Sequence, residues 1–334
     1  MKEAFEMIRI SAVCALMILA TASAYGRSAP ALPPSFSVVH GWPILPEGRV
    51  LGSAAGVGVN SRGQVLVFHR AGRVWTEPLP LDPIQAPTIA VFDEKTGRLV
   101  KEWGAGLFAM PHGLTVDGQD NVWLTEVALQ QVFKFSPDGR LLMVIGQRGV
   151  AGADQSHFNR PTDVAVLPDG SFYVSDGYKN TRVAKFSAAG RFLFQWGKPG
   201  TGPGEFNIPH ALTLDRAGHV YVADRENDRV QVFDGNGSFI TQWKSKEIGR
   251  PYSLALFDYG GAVIADGGEQ PKTGPDRSGA VIVDIDGRVL QRLGRYGNFD
   301  GQFRMAHDVA VDANGDFYVV DITGQRVQKF TRTH

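Results

Sequence analysis

The chain has 334 residues, and 34 lysines and arginines balance 34 aspartates and glutamates, so the formal net charge is zero. That balance gives no electrostatic reason to bind nucleic acid or an anionic membrane, and neither is expected as a partner of the mature domain. Forty glycines and nineteen prolines ask for many tight turns, and residues 36–334 carry no long amphipathic helical period.

The N-terminus reads as an export signal over residues 1–24. Lys2 and Arg9 flank a short charged region diluted by Glu3 and Glu6, an apolar run follows from Ile10 to Leu19, and Ala22-Ser23-Ala24 fits a small-residue cleavage site. A membrane span needs about 20 apolar residues, and this run is shorter. The mature protein is therefore expected in the periplasm or outside the cell, with an uncleaved signal anchor as the alternative. Cys14 is the only cysteine and lies inside this signal, so the mature chain would have no disulfide despite an oxidising compartment. Residues 25–35, rich in Ala, Pro and Ser, read as a linker to a domain over 36–334.

That domain is repetitive. The stretch Met110-Pro111-His112-Gly113-Leu114-Thr115-Val116-Asp117 returns in altered form as Arg160-Pro161-Thr162-Asp163-Val164, Ile208-Pro209-His210-Ala211-Leu212, Arg250-Pro251-Tyr252-Ser253-Leu254 and Met305-Ala306-His307-Asp308-Val309. A sixth copy is Ala54-Ala55-Gly56-Val57-Gly58. Each copy opens a short strand. A turn such as Leu167-Pro168-Asp169-Gly170 follows, then a second strand such as Phe172-Tyr173-Val174. A polar turn leads to a third strand, such as Arg182-Val183-Ala184-Lys185-Phe186, and a second Asp/Gly turn leads to a fourth, such as Phe192-Leu193-Phe194-Gln195-Trp196. The anchors at 112, 162, 210, 252 and 307 are spaced by 50, 48, 42 and 55 residues, the length of one four-stranded propeller blade. The fold class is thus all-β, a six-bladed β-propeller. The last repeat has only about three strands before Phe330, so its fourth is expected from the N-terminus, within Phe36 to Trp42. Such a closure removes the open sheet edge. Two inserts break the rhythm, Thr76 to Pro87 and Gly267 to Ser278, and read as surface loops or as walls of a substrate entrance.

Taken in order, the third anchor residues are Gly56, His112, Thr162, His210, Tyr252 and His307, with histidine in every second repeat. First strands line a propeller's channel, and alternate blades of six are related by a near-threefold axis. Three imidazoles converging there, with a fourth position open, make a catalytic-type Zn²⁺ site. The turn after the second strand lies at the same end of the blade as the anchor. It carries Arg70 in the first repeat, Tyr178 in the third and Arg225 in the fourth, which would rim the metal. Asp308 follows His307; strand alternation would turn its side chain away from the histidine into the propeller body, where a buried carboxylate needs a partner such as a cation.

These residues resemble the peptidyl-α-hydroxyglycine α-amidating lyase family, the second catalytic half of the peptide-amidating enzyme, and more generally NHL repeats. The resemblance covers roughly Gly41 to Phe330. It is carried by Val67-Phe68-His69-Arg70 with Val74-Trp75, Pro111-His112-Gly113-Leu114, Thr125-Glu126-Val127-Ala128-Leu129, Asp154-Gln155-Ser156-His157-Phe158, Pro161-Thr162-Asp163-Val164, Ser175-Asp176-Gly177-Tyr178 and Ala223-Asp224-Arg225-Glu226-Asn227. It implies zinc on His112, His210 and His307, and calcium on the carbonyls of Val57 and Leu114 with the carboxylate of Asp308. It also implies a catalytic tyrosine at Tyr178, active-site arginines at Arg70 and Arg225, and a pocket methionine at Met305. The sequence departs from the family where Asn159 and Lys179, and Tyr221 and Val232, stand in place of two cystines, and where Ala306 replaces a proline. No counterpart of the copper monooxygenase half is read in this sequence.

The expected function is a zinc-dependent lyase that cleaves a peptidyl-α-hydroxyglycine-like carbinolamide to an amide and glyoxylate. The substrate would be small, peptide-like and ended by a carboxylate that Arg70 and Arg225 clamp. Tyr178 would be the general base. A free tyrosine ionises near pH ~10, so a neighbouring arginine has to favour its phenolate. The rival readings are a non-catalytic NHL-repeat scaffold, and another metal-dependent propeller enzyme such as a lactonase.

Overall fold

Along each repeat the apolar residues bury on both faces in the inner strands and lose that cover in the fourth. In the third repeat, Phe172–Asp176 is buried throughout, whereas Phe192–Trp196 is exposed or half-exposed at every position. A strand covered on both faces belongs between two neighbouring sheets, and one that is not belongs at the rim. The computed structural model describes residues 35–268 and 277–333. Within them the chain forms six four-stranded antiparallel sheets, the blades of a six-bladed β-propeller. The expected signal, Cys14 and nearly all of the linker lie outside the described residues, as does most of the insert from Gly267 to Ser278.

Ring closure follows the expected scheme. Ser35–Val38 pairs antiparallel with Arg326–Thr333, with Phe36 opposite Arg332, and so supplies the fourth strand of the last blade. Trp42 then lies 5.1 Å from Tyr318 of the last blade and 6.1 Å from Phe92 of the first, an apolar wedge across the closing seam. Other seams are filled the same way; Trp123 of blade two and Phe172 of blade three are 4.5 Å apart.

One recurring carboxylate sets the inner strands. At the end of the second strand of blades two to six stand Glu126, Asp176, Asp224, Asp266 and Asp321, all buried. Each accepts a backbone N–H from the chain entering the inner strand of its own blade: Ala109 at 3.1 Å, Asn159 at 2.9 Å, Asn207 at 2.7 Å, Arg250 at 3.0 Å and Met305 at 2.8 Å. Four of the five also hold a buried or half-buried arginine, as in Asp176 with Arg182 at 2.9 Å and Asp224 with Arg229 at 2.7 Å. Blade one has His69 in this place.

The entry to the inner strand then bulges. Pairing slips between Ala54 and Gly56, Pro111 and Leu114, Pro209 and Ala211, Pro251 and Ser253, and Ala306 and Asp308. A bulge puts two residues opposite one and breaks the alternation of faces. Two sequence expectations are corrected by it. The first repeat's anchor is Ala55, not Gly56, because Ala55 is the bulged residue. Asp308 does not turn into the propeller body: it lines the channel together with His307.

Candidate active site and metal centre

The three histidines reach the axis from the bulges of blades two, four and six. Their ring centroids are 4.8, 4.9 and 4.9 Å apart, a nearly equilateral triangle. Each Nδ1 lies 2.7 Å from a carbonyl oxygen of the following blade: His112 on Thr162, His210 on Tyr252, and His307 on Ala55. A carbonyl can only accept, so each Nδ1 carries the proton and each Nε2 presents its lone pair to the axis. Burial, reinforced by neighbouring positive groups, holds His112 and His210 well below the ordinary histidine range and His307 down to about 3. Neutral rings with fixed tautomers are the form that binds metal. One ligand atom from each of the three lies within 4.8 Å of the others. This donor set fits a tetrahedral metal with one open position.

Tyr178 closes the triangle from the rim. Its hydroxyl is 3.0 Å from His112 Nε2 and 3.1 Å from His210 Nε2. The turn comes this close because the preceding residue is glycine: a Cβ on Gly177 would stand 2.0 Å from the carbonyl oxygen of Pro209. The Arg225 guanidinium lies 5.4 Å over the Tyr178 ring and 4.7 Å over that of Tyr252, and its Nε donates to Glu226 at 2.9 Å. Arg70 is buried, and its Nε donates at 3.0 Å to the carbonyl of Pro111, the residue before His112. Burial pulls its pKa down to about 10, which leaves it charged at neutral pH. Met305 is half-buried two residues before His307, its N–H held by Asp321. The six predicted histidine, tyrosine and arginine side chains thus gather at one end of the channel.

Similar proteins narrow the reading. The NHL repeat family matches residues 158–186, 206–233 and 303–330. The chain is 37% identical over 301 residues to peptidyl-glycine alpha-amidating monooxygenase B of Xenopus laevis, covering 84% of this chain and 34% of that protein. It is 38% identical over 323 residues to peptidyl-alpha-hydroxyglycine alpha-amidating lyase 1 of Drosophila melanogaster, 87% of this chain and 59% of that one. With the probable peptidyl-alpha-hydroxyglycine alpha-amidating lyase of Caenorhabditis elegans it shares 33% over 300 residues, 84% of this chain and 82% of the relative. The chain belongs to the peptidyl-α-hydroxyglycine α-amidating lyase family. It spans about a third of the length of the frog protein. A streptogramin B lyase structure superposes with a TM-score of 0.58 at 13% identity, over 89% of this chain and 98% of that one. A Xanthomonas campestris gluconolactonase gives 0.58 at 14%, over 85% and 89%. At such identities these show the shared fold alone.

The lyase-family propeller has a second polar layer deeper in the channel. A cavity of about 300 Å³ is lined by Val57, Leu114 and Asp308, with Asp163 among its other walls. Asp308 Oδ2 accepts the N–H of Val57 at 2.9 Å, and its Oδ1 accepts the Ser253 hydroxyl at 2.6 Å. Burial pushes Asp308 up to about 6. Burial and the Asp308 charge push Asp163 well above the usual carboxylate range. Two buried carboxylates on one cavity are a donor set that suits a hard cation. The family's missing cystines leave ordinary contacts here: Lys179 N–H donates to the Asn159 carbonyl at 3.2 Å, and Tyr221 lies directly opposite Val232. Ala306 has an N–H, which proline lacks, and donates it to Ser278 Oγ at 2.8 Å.

Sequence reasoning missed Tyr252, whose ring stands 5.0 Å from His210. Its signal was its place at an anchor. It also missed Asp163, which follows Thr162 as Asp308 follows His307 and so sits three blades across the ring from it. Glu226 and Arg250, ion-paired beside Arg225, carried no signal beyond their charge.

Proposed function

We propose that this chain is a zinc-dependent lyase that splits a peptidyl-α-hydroxyglycine-like carbinolamide into an amide and glyoxylate. The observation that carries the reading is the Tyr178 hydroxyl, held within 3.0–3.1 Å of two inward-facing imidazole nitrogens in a chain of the amidating-lyase family. Zinc, when held by His112, His210 and His307, supplies a Lewis acid that acidifies a hydroxyl. The rest is the work of the chain's own groups. Arg70 and Arg225 bind the substrate carboxylate and place the carbinol carbon beside Tyr178. Tyr178, as phenolate, takes the carbinol proton. The freed electron pair forms the aldehyde C=O, the C–N bond breaks, and its electrons leave with the amide nitrogen, which then takes a proton. A negative charge on the Tyr178 oxygen is offset by Arg225 over the ring.

Calcium is proposed for the deeper layer, on Asp308 and the carbonyls of Val57 and Leu114, where it would tie blades one, two and six at the closing seam. The protein is proposed to work after export. A scaffold role leaves the placement of the Tyr178 hydroxyl among neutral imidazoles without a purpose. The test is to incubate zinc-loaded protein with a short α-hydroxyglycine peptide and to measure glyoxylate. Release above the spontaneous rate supports the reading; none, with zinc bound, refutes it.

A further inference from the structure

One aromatic side chain stands a single ring away from Tyr178 and has no part in the proposed reaction. Trp75 is half-buried, and its ring lies 5.5 Å from that of Tyr178 at 58°. Two guanidinium groups flank it, Arg70 at 5.3 Å and Arg160 at 5.8 Å. Its Nε1 donates to Glu77 Oε1 at 3.3 Å. Arg160 closes a forked pair on both oxygens of Glu77, each at 2.7 Å.

This arrangement is built rather than incidental. Arg160 has a φ of 64°, as Ile208 has 60° at the same place in blade four, so the left-handed turn that carries the Arg160 side chain belongs to the repeat. Its N–H is held there by Gln130. The insert that follows Trp75 is also pinned: Arg148 donates to the Leu81 carbonyl at 2.7 Å, and Ile84 N–H to that of Phe108 at 2.7 Å. The insert from blade one therefore lies over blade two and reaches blade three at Arg160. Trp75, Leu79 and Tyr178 pack on one apolar group that includes Met110, Val127 and Leu129. Met110, Val127 and Leu129 are fully buried beneath them, so the accessible apolar wall beside Tyr178 is Trp75 with half-buried Leu79.

A substrate whose carboxylate is held by the arginines, with its carbinol at Tyr178, must send its acyl part away from the axis. We propose that Trp75 is the floor of a subsite that takes the side chain or acyl group preceding the reacting carbinolamide, and that this subsite favours apolar and aromatic groups. The inference takes its ligand from the proposed lyase reaction. The stacking surface, the apolar wall and the fixed loop give the specificity; the forked Glu77–Arg160 pair holds the platform in place.

The test pairs binding with turnover. Benzoylglycine and acetylglycine lack the hydroxyl and cannot react, so calorimetry on the zinc-loaded protein reads their binding alone. Wild type is expected to prefer benzoylglycine by roughly 10-fold or more, the usual range for apolar pocket contacts. Trp75→Ala should erase that preference and leave acetylglycine affinity unchanged; Trp75→Phe should keep most of it. The same pattern should appear in kcat/KM for benzoyl- and acetyl-α-hydroxyglycine. No preference in wild type overturns the proposal. So does an equal loss for both ligands in Trp75→Ala, which would make Trp75 only a prop for Tyr178. If wild type shows the binding preference, and Trp75→Ala loses it, but no hydroxyglycine compound is cleaved, the subsite stands and the lyase reading falls.

Discussion

Gly177→Ala adds one methyl group at the tightest point of the site. The added Cβ would stand 2.0 Å from the Pro209 carbonyl oxygen and 3.3 Å from Thr162 Oγ1. Gly177 is not in the left-handed region, so alanine can hold its backbone angles and the clash is steric alone. Real Cβ contacts do not fall under about 3 Å, so the turn and the strand must part by about 1 Å, a displacement that costs on the order of 10²-fold when it misplaces a reacting group. Neither side yields alone. The Pro209 carbonyl accepts the Thr162 hydroxyl at 3.0 Å and immediately precedes His210, while the turn carries Tyr178. The expected result is a fall in kcat of about 10²-fold, with the overpacking also costing about 1–3 kcal/mol of stability. The assay is glyoxylate release under saturating substrate, beside zinc content and a thermal melt. A variant with wild-type kcat would show that the spacing of Tyr178 and His210 is not what the reaction depends on.

Tyr178→Phe keeps the ring against Trp75 and removes the hydroxyl; turnover should fall by about 10²–10⁴-fold with zinc retained, and near-wild-type turnover would remove Tyr178 from the role of base. Asp308→Ala should abolish the rise in melting temperature on adding Ca²⁺, which in wild type corresponds to about 2.7 kcal/mol at a hundredfold excess over Kd; an intact calcium response would place the ion elsewhere. His69 gives the pH test. Burial, then the Arg49 charge, pulls its pKa down to about 4 in the fold. The unfolded chain binds this proton first, so its contribution is present above pH ~6.5 and is lost as the pH falls toward ~4, on the order of 3 kcal/mol. His69→Gln should flatten that part of the stability profile, and an unchanged slope in pH-dependent melts would contradict it.

The repeat and the histidine alternation were legible because both are periodic in the chain. Blade number, strand order, the closing N-terminal strand and the common end for Arg70, Tyr178 and Arg225 follow from that period and from antiparallel pairing. What was not legible depends on register at single residues. A bulge carries no residue signature, so Ala55 was passed over as an anchor and Asp308 was turned the wrong way. Asp163 was hidden because simple alternation turns the residue after each anchor away from the channel; no slip marks its own pairing, and only the structure puts it on the cavity that Asp308 lines. Trp75 lies in a stretch outside the repeat, and only the packing of the insert brings it to Tyr178. The carboxylates that end the second strands were visible as recurring residues, but their work, holding the backbone that enters the inner strand of the same blade, appears only in the hydrogen bonds.

Lyase activity is proposed to depend on one zinc held by His112, His210 and His307. The most direct measurement strips the protein with a chelator, then titrates zinc back while glyoxylate release and bound metal are read together. Activity should rise in proportion to zinc and stop at one bound per chain, with His112→Ala unable to recover. Full activity in the stripped protein, or zinc retained as tightly by His112→Ala, His210→Ala and His307→Ala as by wild type, would contradict it.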